Sequence, residues 1–257
     1  MKELNRKRAK AWDNAAKKDA MVYITSVKSS WTEKDFFDTG AEEAHKFAGE
    51  FLSRVGFNPA GKRMLDFGCG IGRMTRAFSE MFSEAYGVDF SEETIRKAGE
   101  LNKHKPNLFF ASNNGADLAI YEDEFFDFCF SYAMFQHIPD LDIIRSYVNE
   151  IARVLKPGGL FRLHFDCRKW GPEKLPIIHR SLFNLFLKTG LVDRFAAFYF
   201  RNRYRDDDEY SRKAYPGIWL SSGRLVRMLE QAGLEIIEIS GKDTSWSWYS
   251  GKKNPVS

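Results

Sequence analysis

The chain has 257 residues, 44% hydrophobic and 29% charged, enough apolar material for one large α/β domain or a domain with an insert. Its 39 basic and 35 acidic residues leave a net charge of +4, too balanced to mark a reader of nucleic acid. Cys69, Cys129 and Cys167 form no C-x-x-C pair, the basic opening lacks the apolar stretch of a secretory signal, and no apolar run reaches bilayer length. These features exclude a disulfide framework and a helical membrane span, and they predict a cytoplasmic protein.

Residues 1–60 read as an N-terminal helical cap. "AEEAHKFAGEFLSRVGF" sets Ala44, Phe47, Phe51, Leu52 and Val55 on one face at helical spacing, and the segment before it supplies Tyr23, Trp31, Phe36 and Phe37. From residue 61 strands and helices alternate. "KRMLDF" is a strand, "RMTRAFSEMF" a helix and "EAYGVDF" a second strand. "SEETIRKAGELN" is a helix with Ser91 as N-cap and acids in its first turn. "NLFFA" and "FFDFCFSY" are strands, the second apolar on both faces as a buried parallel strand should be. "DLDIIRSYVNEIARVL" is a helix with Ile144, Tyr147, Val148, Ile151 and Leu155 as its stripe; "KPGG" ends it, and "LFRLHFDC" is a strand.

Residues 61–167 thus form a core with a parallel sheet and crossover helices. The alternation breaks at 168–220, an aromatic-rich stretch read as a helical lid. It resumes at 221–257 with the helix "SSGRLVRMLEQAG", closed by Gly233, and two strands, "LEIIEIS" and "TSWSWY". The turn "GKD" between them makes them antiparallel, and Trp246 and Trp248 share a face expected to pack on the sheet. The predicted fold is α/β and Rossmann-like: a mostly parallel seven-stranded sheet ending in an antiparallel hairpin, with helices on both faces.

"LDFGCGIGRMT" joins the first strand to its helix. A phosphate loop would need a Lys-Ser/Thr pair after its last glycine, and none is present. The dinucleotide pattern G-x-G-x-x-G would put its third glycine on Arg73. The actual spacing is D-x-G-x-G-x-G, over Asp66, Gly68, Gly70 and Gly72. An acid facing the turn suits an ammonium and repels a phosphate. Asp89 ends the second strand, where an acid accepts hydrogen bonds from ribose hydroxyls, as it also does in enzymes that use NAD. A turn that binds nothing is the competing reading of the glycines.

With these motifs, and with "SNNGADLAIYEDEFFDFCFS" further on, residues 62–167 resemble the class I S-adenosylmethionine-dependent methyltransferases. The closing hairpin supports the likeness. The resemblance implies S-adenosyl-L-methionine as cofactor. It implies that Asp66 and the backbone of Gly68, with Cys69 beside it, face the amino end of the methionine moiety. Gly70 leaves room for the ligand and Gly72 completes the loop. Asp89 takes the ribose, Phe90 packs either on adenine or into the core at the sheet edge, and Asn114 meets the adenine amine with Gly115 and Ala116 along the ring edge. Many relatives carry Asp where Asn114 stands, and Asp117 is the alternative. Ser131 opens "SYAMFQHIPD", the stretch that lines the gap between cofactor and substrate.

Methyl transfer from a sulfonium is an in-line displacement in which the protein supplies position, dryness and sometimes a base. His137 is the candidate base, against the plainer reading of a histidine bonded to nearby backbone ahead of Pro139. Arg162, His164 and Asp166 share a strand face; His164 and Asp166 either hold a substrate or pair with each other or with an inserted helix, the pairing being favoured. His137, His164, Asp166 and Cys167 lack compact ligand spacing, so no metal is expected.

Phe183, Phe186, Phe195, Phe198 and Tyr199 of the insert could cover an apolar acceptor, form a dimer interface or fill the lid's own core. "RNRYRDDDE" reads as a self-paired solvated surface. No N-P-P-Y or Pro-Cys signature of nucleic-acid methylation is present. The expected partner is therefore a small molecule, aromatic or apolar, accepting at oxygen or nitrogen. The rivals are an NAD-dependent oxidoreductase and a non-catalytic module that binds the cofactor for a partner.

Overall fold

A computed structural model describes residues 2–25, 30–138, 140–167 and 220–255, with side chains from Ala9 onward. The strands are β1 (Arg63–Phe67), β2 (Glu84–Asp89), β3 (Leu108–Ser112), β4 (Phe126–Ser131), β5 (Leu155–Phe165), β6 (Leu234–Ser240) and β7 (Ser247–Lys253). They form one seven-stranded sheet in the order β3-β2-β1-β4-β5-β7-β6. β1 to β5 run parallel, and β7 is antiparallel to both β5 and β6. The order reverses between β1 and β4, which opens a crevice at the carboxyl ends of those strands.

The helices follow from local chemistry. In α5 (Glu92–Asn102) the Ser91 hydroxyl accepts from the Thr94 N–H, and Glu92 and Glu93 sit at the positive end of the helix. In α6 (Leu141–Val154) Asp140 accepts from the N–H groups of Asp142 and Ile143, and the stripe Ile144, Tyr147, Val148 and Ile151 is buried. α4 (Thr75–Met81) follows the glycine loop, and α7 (Ser222–Gln231) precedes β6. Gly233 takes φ +81° just beyond α7, as a helix terminator should. Ser221 precedes α7 without making a side-chain capping bond.

Alternation along the strands divides the core between the two faces of the sheet. Leu65 and Phe67 of β1 join Phe161, Leu163 and Phe165 of β5, together with α6 and α7. Met64 joins Phe128, Phe130 and Trp248 on the other face, under Phe51 and Leu52 of the cap. The cap consists of α1 (Lys2–Thr25), α2 (Glu33–Ala44) and α3 (Glu50–Arg54), with a π-helical turn, His45–Gly49, joining the last two.

Four expectations shift. The π turn adds a residue to the helical repeat, so Ala48 is buried while Val55 falls at the helix end and is exposed. β5 starts at Leu155, because Leu155 pairs with Phe126 before the next pair, Leu160 with Phe128, leaving "KPGG" to bulge. The link from β6 to β7 is Gly241–Trp246, longer than "GKD": the hydroxyls of Thr244 and Ser247 donate to the Gly241 carbonyl and fold the link on itself. β7 therefore begins only at Ser247, so Trp248 is buried while Trp246 stands outside the strand and is exposed. The expected lid at 168–220 lies outside the described residues but for Leu220. Among the described residues no helix is long and apolar enough to cross a membrane.

Gly40 of α2 lies directly on the glycine loop: a Cβ there would collide with the Arg73 carbonyl and side chain. Arg73 in turn forms an ion pair with Glu43 and lies over the Phe36 ring, so α2 buttresses the loop through this residue. Gly40→Ala would gain about 1 kcal/mol of helix propensity but must displace backbone. We expect a net destabilisation of about 1–2 kcal/mol, read as a lower denaturant midpoint.

Candidate functional site

The glycine loop is closed by its own N–H groups. Those of Gly68 and Cys69 both donate to the Val88 carbonyl, at 2.8 and 3.1 Å. That of Gly70 donates to Asp89 Oδ2 at 3.2 Å, and that of Gly72 to the Cys69 carbonyl at 3.0 Å. A phosphate-binding loop needs such donors aimed at the ligand. Here three of them bind the end of β2 and the fourth closes the loop on itself. Gly68, Gly70 and Gly72 all have positive φ, at 81°, 56° and 81°, a conformation that favours glycine.

The space in front of each glycine is assigned. Met134, after β4, lies over Gly68. Ile24 of α1 faces Gly70, 2.8 Å from where a Cβ would be. Gly72 faces Phe110 of β3, with 2.6 Å to its ring, so its role is close packing of the loop on the sheet. Cys69 is buried and donates its thiol to the Gly70 carbonyl at 3.3 Å. Burial pushes its pKa well up and keeps it a thiol.

Asp66 is buried at the end of β1 and accepts from the Thr75 hydroxyl at 2.7 Å. Burial raises its pKa to about 7, against the smaller opposing pull of the Thr75 bond. Asp89 is half-buried at the end of β2. Its Oδ1 accepts from the Ser91 N–H at 3.0 Å and its Oδ2 from Gly70. The Phe90 N–H also bonds this carboxylate, so only part of its lone-pair capacity is left for a hydroxyl. Burial also raises its pKa, partly offset by backbone N–H bonds. Phe90 follows it, half-buried.

Asn114 is exposed and organises its own turn. Its Oδ1 accepts from the N–H groups of Ala116 and Asp117, and its amide donates to Asp117 Oδ2 at 2.7 Å. The Gly115 N–H goes to Asn113 Oδ1. The amides expected along an adenine edge are thus used within the loop, as a compact Asx turn requires. Ser131 is fully buried and donates to the Phe67 carbonyl at 2.8 Å, tying the ends of β4 and β1 together.

His137 lies in a short 3₁₀ turn, Phe135–His137, and its ring meets Trp12 of α1 edge to face at 5.5 Å. His164 is buried. Its Nδ1 accepts from the Ala133 N–H at 3.3 Å, and its Nε2 lies 3.0 Å from the Ser245 carbonyl, so Nε2 carries the proton. Burial lowers its pKa to about 4, keeping it neutral. Both ring nitrogens are thus held by backbone, and Asp166 acts on the ring through its charge. Arg162 instead turns to Ser250, at 2.7 Å, and to Glu238 on β6.

The sequence reading missed how α1 roofs this crevice. α1 breaks at Asp19, whose backbone is extended and whose carboxylate accepts from the Val22 N–H. Asp13, before the break, accepts from the Ser91 hydroxyl at 2.6 Å and from the Glu93 N–H at 3.2 Å, capping α5 from outside. Lys97 donates to the Ala16 carbonyl at 2.6 Å. A mostly polar helix gives little apolar signal from which this docking could be read.

Residues 65–163 match the family model described as "Methyltransferase domain". Phosphoethanolamine N-methyltransferase 2 of Caenorhabditis elegans is 35% identical over 158 residues, 56% of this chain and 36% of that protein, so the chain spans about a third of that relative. Demethylmenaquinone methyltransferase of Staphylococcus haemolyticus is 24% identical over 238 residues, 88% of this chain and 90% of that protein. A SAM-dependent methyltransferase structure from Methanosarcina mazei superposes with a TM-score of 0.55 at 20% identity, covering 76% of this chain and 94% of that one.

The Asp66 environment predicts a pH dependence of stability. Its pKa of about 7 in the fold exceeds the ordinary 3.8, so between those values the folded state holds the extra proton. The contribution is full below the ordinary value and is lost as pH rises through about 7. Denaturant midpoints of the native chain should fall over that window, and Asp66→Asn should flatten the fall.

Proposed function

We propose, for a chain that belongs to the class I S-adenosylmethionine-dependent methyltransferase superfamily and uses S-adenosylmethionine, that it methylates an oxygen or nitrogen atom of a small molecule by in-line displacement. The observation that carries this reading is the glycine loop. Four of its N–H groups are taken by protein acceptors, and two acids stand beside it, Asp66 in β1 and Asp89 at the end of β2. That donor set fits an ammonium and a ribose and is wrong for the pyrophosphate of NAD.

When bound, S-adenosylmethionine supplies a methyl group on a sulfonium sulfur. Asp66 holds the ammonium end as its carboxylate, since a nearby cation reverses the effect of burial. The Gly68 carbonyl assists, because its N–H is committed to Val88. Asp89 takes the ribose hydroxyls with the lone-pair capacity that the N–H groups of Gly70, Ser91 and Phe90 leave. Phe90 and the 114–117 turn flank the base. Ile24 and Met134 line the methionine end and keep water from it.

His137 is the proposed base. It follows β4 at the carboxyl edge of the sheet, and Trp12 shields one side of its ring. His164 is unsuited to that role, since both its nitrogens are bonded to backbone and burial lowers its basicity. A small acceptor is favoured by the balanced charge and by the relative that acts on phosphoethanolamine.

The purified chain, given methyl-labelled S-adenosylmethionine and an extract of its source cells, should transfer label to the small-molecule or lipid fraction. Label in protein or nucleic acid would overturn the acceptor class. No label, with S-adenosylhomocysteine still bound, would favour a non-catalytic module. Separately, His137→Ala should lower kcat by about 100-fold or more while leaving S-adenosylhomocysteine affinity unchanged. Unchanged turnover would remove His137 from the chemistry.

A further inference from the structure

Trp246 is the most exposed large hydrophobic side chain among the described residues, 52% accessible, yet it is not isolated. Its ring stacks on Tyr132 at 5.9 Å and 30°, and Tyr132 stacks on buried Trp248 at 5.6 Å and 8°. Phe47 lies tilted against all three rings, at 5.0 to 6.2 Å. The group forms a column of flat rings that starts in the core and ends at the surface.

His164 holds the column together. One of its nitrogens takes the N–H of Ala133, the residue after Tyr132; the other donates to the carbonyl of Ser245, the residue before Trp246. It therefore bridges the two loops that carry the rings. Ala133 has φ +55°, a strained value for a residue with a side chain. That strain turns Tyr132 toward the tryptophans and sends Met134 over Gly68. The column thus stands one short turn from the glycine loop, at the carboxyl ends of β4 and β5.

We propose that the outer face of Trp246 is the platform on which a flat aromatic ring of the methyl acceptor stacks. The proposal rests on the methyltransferase reading of the glycine loop and names the acceptor's chemical class. Aromatic faces prefer offset, near-parallel partners, and the column already presents that arrangement with its terminal face open. Tyr132 and Trp248 back the platform, and His164 is a positioning residue.

The test uses 2-naphthol as the flat probe, decahydro-2-naphthol as its puckered counterpart and choline as a cation. Binding to the full chain is measured by equilibrium dialysis, with and without S-adenosylhomocysteine. The native chain should bind 2-naphthol more tightly than either other probe. Trp246→Ala should weaken it by about tenfold, and Trp246→Phe should restore most of the loss. S-adenosylhomocysteine affinity should be the same in all three proteins, which also reports that the variants are folded.

Equal 2-naphthol binding by the native chain and Trp246→Ala would overturn the platform. So would decahydro-2-naphthol binding as tightly as 2-naphthol, or choline binding in preference to it. If the native chain failed to bind S-adenosylhomocysteine while 2-naphthol behaved as expected, the cofactor reading would fall and the aromatic site would stand.

Discussion

The end of β2 holds the glycine loop, and the rest of the site depends on that bond set. The Val88 carbonyl accepts two loop N–H groups, and the Asp89 carboxylate accepts a third. This fixes the turn between β1 and α4 and removes its capacity to cradle an anion. It also places the loop beside two acids of neighbouring strands, Asp66 in β1 and Asp89 at the end of β2. α2 supports the loop from behind through Gly40 and Arg73, and α1 covers it from the front through Ile24. A turn under this many constraints presents a fixed surface, as a site that works by positioning requires.

The buried polar groups divide by whether their needs are met inside the fold. His164 is satisfied at both nitrogens and stays neutral, so it acts as a structural bridge. Ser131 is likewise used up in joining two strand ends. Asp66 differs. One hydroxyl bond only partly offsets its burial, and its raised pKa marks a carboxylate suited to a cationic partner.

Much of this was legible in the residues. The spacing of Asp66, Gly68, Gly70 and Gly72 marked the loop, and the acid of "GVDF" marked the end of the second strand. Ser91 announced its helix, and the apolar stripe of α6 announced its buried face. The mostly parallel sheet and its antiparallel end followed from alternation and from two late strands close in sequence. Other features had no local signal. The π turn at His45–Gly49 shifts a helical face through backbone bonding that side-chain periodicity does not encode. Trp246 and Trp248 alternate as strand neighbours would, yet hydroxyl bonds in the preceding link leave one exposed and the other in the core.

The sequence by itself determined the fold class, the location of the glycine loop and the identity of its two acids. Those properties depend on period, spacing and residue type, which act over a few neighbouring positions. Tertiary structure decided which groups remain available for chemistry. Met134, Ile24 and Trp12 reach the crevice from segments far apart in the chain. The two partners of His164 come from different loops, and only their convergence turns a possible substrate holder into a clamp. Whether a polar atom is satisfied depends on atoms brought near it by folding, and no pattern along the chain states that.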